Sequence, residues 1–422
     1  MVKQMHRKQT SQLKSYLTGA LMASVCGLTL NAQAPAARPQ LVVGIMIDGL
    51  SADYLTLLKG YMSEGGFKRL MQEGVTLTDL DYGTSVDAAT ATAIAFTGAV
   101  PAVNGIGAST VYNPELKISR PVFYDPAVMG NYTDETLSPA RLRVSTIADE
   151  IRIAGGGLGS VYSIAPDAST AIIMAGHAGN SAAWINDVTG NWASSAFYKE
   201  MPVNLQSRNR MQPLATRLDT LAWVPVMNSE KYPDIPSYKK AYPMRNTFLR
   251  KDPNRFRAFK TSAPVNSEVT TIASDYISSL KLGGHDETDV LNIAYTVQPY
   301  EYSPDADARI EQMDIYLRLD RDLQKLFSAI DAGPGMDKTM IFVAGTPRRA
   351  RSRRDDEKWS IPHGEFSPRR AMSLLNVYLI ALHGNGEWVS GFHDKQIYLN
   401  QSLAKERGIE MASLRSDVAS FM

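Results

Sequence analysis

Asp48 is the first residue in the chain placed to do chemistry. It ends LVVGIMID (Leu41–Asp48), a run of apolar or small residues closed by one carboxylate and bounded by Pro39 and Gly49. A run of this length, rich in Val and Ile, suits a strand buried on both faces, the habit of parallel sheets covered by helices. In such sheets ligands sit beyond the carboxyl ends of the strands, so Asp48 is expected to point into a site. The structural alternative is a strand-ending Asp that caps the next helix. A second cluster is cationic. Arg348, Arg349, Arg351, Arg353 and Arg354 fall within one short stretch, followed by Asp355, Asp356 and Glu357. Guanidinium forks suit phosphate and carboxylate. The run reads either as a solvated loop neutralised by its own acids or as a cationic cover over an anion site.

The elements that would position these residues read as α/β. Residues 52–73 carry a helical apolar face interrupted by Gly65-Gly66, and 75–80 reads as a short strand. SVDAATATAIAFTG turns into a helix up to Thr97-Gly98, and 101–107 is a turn. Residues 142–154 read as helix, 160–164 and 171–174 as buried strands, and 184–192 as a hairpin with its turn at 187–190. Residues 193–265 are rich in Pro, Asn, Lys and Arg with little periodicity, which predicts a loop-rich cap. A helix (269–282), a buried strand (289–295), a long amphipathic helix (308–330) and a fifth strand (339–344) follow. Strands separated by helices indicate a doubly wound, mostly parallel sheet sandwiched by helices. The tail reads as a small α+β lobe. The expected division is 38–190 with 266–360 as the α/β core, 191–265 as a cap insertion and 361–422 as the small lobe.

The 422 residues, 44% hydrophobic and 21% charged, supply ample core. A net charge of +1 favours neither nucleic acid nor an acidic membrane surface. Lys3, Arg7, Lys8 and Lys14 precede an apolar stretch at 16–30, and Ala32-Gln33-Ala34 supplies a small-x-small cleavage pattern. Residues 1–34 are therefore expected to be an export signal, with a periplasmic or extracytoplasmic mature protein. The single Cys26 allows no internal disulfide, and Val25 before it argues against lipid anchoring. No other segment is long and apolar enough to suggest a transmembrane helix.

Five stretches carry a resemblance: RPQLVVGIMIDGLSADYL, EGGFKRLMQEG, AFTGAVPAVNGI, IYLRLDRDLQKLF and LLNVYLIALHGNGEWVSGFHDKQIYLN. Together they resemble the alkaline phosphatase superfamily, closest to the phosphate-irrepressible bacterial alkaline phosphatases and the related nucleotide pyrophosphatases/phosphodiesterases. The resemblance implies two zinc ions held by Asp and His, and a Thr or Ser nucleophile that takes the phosphoryl group. It also implies a particular residue at each position, and these can be checked one at a time.

Asp48 matches the first metal-binding Asp. At the nucleophile position the sequence offers Asp87 counting forward from Asp81-Tyr82, or Ala88 counting back from Thr97-Gly98. Thr84, Ser85 and Thr90 are nearby hydroxyls in a shifted register. Ala91 or Thr92 stands where that segment carries a His. Ser109 stands for a phosphate-binding Asn, and Ile164-Ala165-Pro166-Asp167 for a basic pair. YTVQPYEY at 295–302 lacks the Asp and His of the second metal segment. Ala344-Gly345-Thr346-Pro347 replaces Ala-Asp-His-Gly, and the family's last His would lie past Met422. His177, His285, His363 and His393 remain, each expected as a structural or surface histidine; His177 resembles a Gly-His kept for structure.

One expected ligand of about six is thus retained, and zinc needs three or four well-placed donors. The resemblance therefore implies a catalytically inactive, exported member with no cofactor, acting in the cell envelope on an anionic ligand or a protein partner. The alternative is an active zinc-dependent phosphomonoesterase or phosphodiesterase with a rearranged site.

Overall fold

The computed structural model describes residues 38–422 except 78–79, 84–85, 200, 242–243, 305–307, 349–359, 361, 363 and 365. Residues 40–422 form one compact unit. The expected export signal lies outside the described residues, as do Thr84, Ser85, His363 and four of the five clustered arginines.

β1 (Leu41–Asp48) is buried from its first residue to Ile47, and only Asp48 is partly exposed. The other strands are β2 (Thr110–Asn113), β3 (Ile118–Pro121), β4 (Gly130–Asn131), β5 (Val161–Ile164), β6 (Ser181–Ile185), β7 (Trp192–Ser195), β8 (Ala222–Trp223), β9 (Asn246–Thr247), β10 (Asp289–Thr296), β11 (Thr339–Gly345), β12 (Val389–His393) and β13 (Gln396–Leu399). Seven make the main sheet, in the order β11-β1-β10-β5-β6-β7-β4. It is parallel from β11 to β6 and antiparallel beyond.

Both faces are covered by helices, as the apolar strands require. These include α1 (Ala88–Thr97), α2 (Ile147–Ala154), α3 (Ala168–Ala175), α4 (Ala263–Ser279) and α5 (Arg309–Ala332). Side chains alternate along a strand. Accordingly Leu41, Val43, Ile45 and Ile47 pack in one core with Val269, Ile272, Leu319 and Leu323 of α4 and α5. Met46 packs on the opposite face with α1 and α3, and Val42 with Ala148 of α2. This is the doubly wound sandwich expected from the sequence.

Two expected strands are corrected. Residues 171–174 belong to helix α3, not to a strand. α3 is buried nearly all round, so no polar stripe betrays its period, and a short apolar run reads alike in either state. The deciding signal is Asp167, whose carboxylate accepts from the Thr170 N–H at 2.9 Å and caps the helix. The strand beside β5 is instead β6, the first arm of the expected hairpin. Among the described residues of 75–80 there is no strand, and Val75 and Leu77 are exposed. The helix expected over 52–73 is broken into Ala52–Leu58, a 3-10 turn (Lys59–Tyr61) and Phe67–Glu73.

Residues 193–265 hold short helices and the two-stranded β8–β9 pair. Glu268 of α4 anchors this region. It accepts Trp192 Nε1 at 3.0 Å and takes bidentate pairs from Arg208 and Arg217 at 2.7–2.9 Å. The C-terminal segment packs α6 (Pro368–His383), β12, β13 and two short helices around Leu375, Leu379, Trp388 and Leu414.

Candidate active site

Three strand ends meet at Asp48. In the parallel ladders Asp48 lies opposite Thr296, and Ile47 opposite Gly345. The ladders continue past the strands, with the Val297 N–H donating to the Asp48 carbonyl (2.8 Å) and the Thr346 N–H to the Ile47 carbonyl (3.1 Å). This register delivers Gln298 and Thr346 beside the Asp48 side chain. Gln298 Nε2 donates to Asp48 Oδ1 and to the Pro347 carbonyl, both at 3.0 Å. The Thr346 hydroxyl donates to the same Asp48 oxygen and accepts from the Gly49 N–H at 2.9 Å.

The surrounding groups hold this arrangement in place. Gly49 sits at φ +82°, and a Cβ there would lie 2.7 Å from Gln298 Cδ. Only glycine combines that conformation with room for the amide. The Tyr316 hydroxyl donates to the Gly49 carbonyl (3.1 Å) and accepts from the Ser51 N–H (3.0 Å). Tyr82 donates to the Gly345 carbonyl at 2.7 Å, and burial pushes its pKa up to about 12, so it stays a neutral donor. The N-cap of the next helix is Ser51, not Asp48. The capping alternative for Asp48 therefore gives way to a hydrogen-bonded position at the strand ends.

A cavity of about 140 Å³ opens here, lined in part by Asp48, Thr92, Asp167, Thr170, Lys260 and Thr346. Lys260 is committed elsewhere: its Nζ lies 2.6 Å from Asp187 Oδ1, while Arg257 Nε holds the other oxygen at 3.1 Å. Burial raises the Asp187 pKa, but these two cations outweigh it and keep the carboxyl below its ordinary range.

The described sequence candidates for a nucleophile lie at the start of α1. Asp87 is the N-cap of α1, accepting from the Thr90 N–H (2.8 Å) with one oxygen and from the Ser109 N–H (2.7 Å) with the other. Ala88 is the first residue of the helix. Thr90 is buried, and its hydroxyl has no hydrogen-bond partner. Asp167, in the stretch where a basic pair was sought, caps α3.

The described candidate histidines have partners of their own. His177 bonds the Leu142 carbonyl at 2.9 Å and faces Asp149 at 3.4 Å. His285 pairs with Asp289 (3.0 Å), and His393 stacks on Tyr112 at 3.8 Å. Arg348 is the described member of the arginine cluster. Its guanidinium lies 4.7 Å above the Tyr54 ring, which in turn stacks on Tyr316 at 5.2 Å.

Sequence reasoning marked Asp48 but missed Gln298 and Thr346 as its partners. Both lie in stretches it had read only as lacking ligands. No local pattern announces a hydrogen bond between residues 250 or more positions apart.

The family model described as Type I phosphodiesterase / nucleotide pyrophosphatase matches residues 42–346, from the second residue of β1 to Thr346. The chain belongs to this family, within the alkaline phosphatase superfamily. It is 28% identical over 432 residues to alkaline phosphatase PafA of Elizabethkingia meningoseptica, covering 96% of this chain and 77% of that one. It is 32% identical over 328 residues to alkaline phosphatase PhoV of Synechococcus elongatus, covering 73% of this chain and 58% of PhoV. The crystal structure of wild-type PafA superposes with a TM-score of 0.76 at 25% identity, covering 90% of this chain and 76% of PafA.

Zinc is the metal that the phosphodiesterase family implies. Among the described residues, the side chains that meet at the three strand ends are one carboxylate, one amide whose nitrogen faces it, and one hydroxyl that donates a hydrogen bond to it. Among the described residues no three His, Cys, Asp or Glu side chains come together as a metal site. A tetrahedral zinc requires three or four N, O or S ligands, and this set does not fit a pair of them.

Proposed function

We propose that this family member is catalytically silent, exported, and works as a binding or scaffold protein in the cell envelope. One observation carries the reading. At the strand ends Asp48 accepts from Gln298 and Thr346, neutral donors that occupy the positions where phosphatase chemistry would need metal ligands. Two-metal phosphoryl transfer uses paired cations to activate the nucleophile and hold the leaving oxygen, and the donors met at Asp48 among the described residues are too few to hold the pair. Export rests on the basic and apolar pattern of residues 1–34. The cap at 191–265 and the lobe at 361–422 belong to the same proposal, as additions to the 38–190 and 266–360 core.

The second reading is a working metal-dependent phosphatase or phosphodiesterase with a rebuilt site. The relatives' names favour it: PafA and PhoV are both called alkaline phosphatases. The donor set at Asp48 favours the silent reading. Hydrolysis of a chromogenic phosphate monoester and diester by the purified chain, with and without added zinc, separates the two. The silent reading expects no turnover above the Asp48→Ala variant, and Asp48-dependent turnover would refute it.

A further inference from the structure

We propose that the cleft between the β2–β3 hairpin and residues 138–143 is a binding site for a compact oxyanion carrying at least two charged groups. The cleft encloses about 570 Å³, within the range of small-molecule sites, and shares no lining residue with the cavity at Asp48.

Three arginines line it: Arg120 on β3, and Arg141 and Arg143 on the opposite wall. Leu142 between the last two is buried, while its neighbours on either side face outward and both reach the cleft. The wall that carries them is fixed. The Arg143 N–H donates to the Asn104 carbonyl at 3.0 Å, and Asn104 is itself buried, with its side chain bonded to Ala99 and Ile106. Gly105, at φ +86°, lets this wall close in, since a Cβ there would lie 2.7 Å from the Arg141 carbonyl. Val122 and Phe123 are buried and supply an apolar floor.

The positive charges exceed the negative ones among the described residues of the cleft. Arg208 and Arg217 pair with Glu268, Arg255 with Asp219, and Arg318 with Asp314. Among the described residues Arg120, Arg141 and Arg143 pair with no carboxylate. Arg120 stacks on the Tyr124 ring at 4.4 Å, a contact that uses the guanidinium face and consumes no N–H donor. Asp125 is the one acid in the lining among the described residues, and it is already engaged. It accepts from Ser138 Oγ (2.5 Å) and the Ala127 N–H (3.0 Å), which hold it ionised below the usual carboxylate range. Three guanidiniums against one aspartate leave a surplus of two positive charges facing one cleft. One fork satisfies one phosphate or carboxylate, so three forks select a ligand with at least two oxyanion groups.

Calorimetric titration of the full chain with inorganic pyrophosphate and with citrate tests this, and the one that saturates identifies phosphate or carboxylate as the chemistry. One site should saturate, with monovalent acetate giving no saturation. Arg141→Ala and Arg143→Ala should each weaken binding at least tenfold, consistent with charge-assisted bonds. Arg210→Ala, on an exposed helix surface, should leave it unchanged. Failure of both polyanions to bind would overturn the proposal. So would undiminished binding by an Arg141→Ala/Arg143→Ala double variant with an unaltered melting temperature. Loss in Asp48→Ala alone would move the anion to the strand ends and overturn it equally. Because the two cavities share no residue, these outcomes are independent of whether the chain hydrolyses phosphate esters.

Discussion

Gln298 Nε2 stands 3.0 Å from Asp48 Oδ1, across the ends of two parallel strands that are 250 residues apart in the chain. With the Thr346 hydroxyl on the same oxygen, this joins β1, β10 and β11 through one carboxylate. Asp48 thus does structural work for the sheet whether or not it does any chemistry. Asp48→Ala removes the acceptor that two donors share, and Thr346→Val removes both a donor to Asp48 and the acceptor of the Gly49 N–H. Each should cost about 1–3 kcal/mol in urea unfolding. A chelator should leave the wild-type melting temperature unchanged, since a metal bound only by the native state would add stability that chelation removes.

Gly44, at the middle of β1, leaves no room for a side chain. A Cβ there would lie 2.3 Å from Asn292 Oδ1 and 2.6 Å from Phe342 Cζ. Asn292 resists moving, because its Nδ2 is held by the Met174 carbonyl at 2.6 Å. Gly44→Ala should therefore destabilise by about 1–3 kcal/mol through overpacking, despite alanine's better backbone entropy, as read from the unfolding midpoint.

Glu268 carries two arginines and a tryptophan while almost wholly buried. Burial raises its pKa, but Arg208 and Arg217 lower it further, to about 2 from the ordinary 4.5. A depressed carboxyl contributes stability that is present above its unfolded pKa and lost as pH falls from about 4.5 towards about 2. Glu268→Gln should cost about 1–3 kcal/mol by leaving two partly buried cations without a counter-charge. It should also flatten the acid limb of the stability curve, measured by thermal melting between those pH values.

His177 acts in the opposite direction. Its bond to Asp149 raises its pKa above 6.5, against the smaller effect of burial. A raised histidine contributes stability that is complete below 6.5 and lost as pH rises through its folded value. The wild type should therefore lose a little stability on passing upward through neutrality, and His177→Ala should not. Equal pH slopes for the two proteins would show that the Asp149 contact does not favour the charged ring.

Much of the fold was legible in the sequence. LVVGIMID reads as a doubly buried strand from its Val and Ile content and its Pro39 and Gly49 bounds, and 308–330 reads as an amphipathic helix because its period repeats over many residues. The helix at 168–175 was missed because a helix buried all round shows no polar face. Its Asp167 cap was in view but was read only as standing where a basic pair is expected. Asp48 was legible because a charged residue closing an apolar strand is conspicuous. Gln298 and Thr346 were not, because their roles depend on the register of three strands, which no local pattern encodes. The arginine cleft escaped for the same reason: Arg120 and Arg143 are remote in sequence, and the pairing of β2 with β3 and the Gly105 turn bring them together.

The most direct test of the account is the zinc content of the purified chain. After dialysis against micromolar zinc, wild type and Asp48→Ala should carry the same trace of metal, well below one ion per chain, with no saturable heat on zinc titration. One or two ions per chain, lost in Asp48→Ala, would contradict a strand-end site built from hydrogen bonds in place of metal ligands.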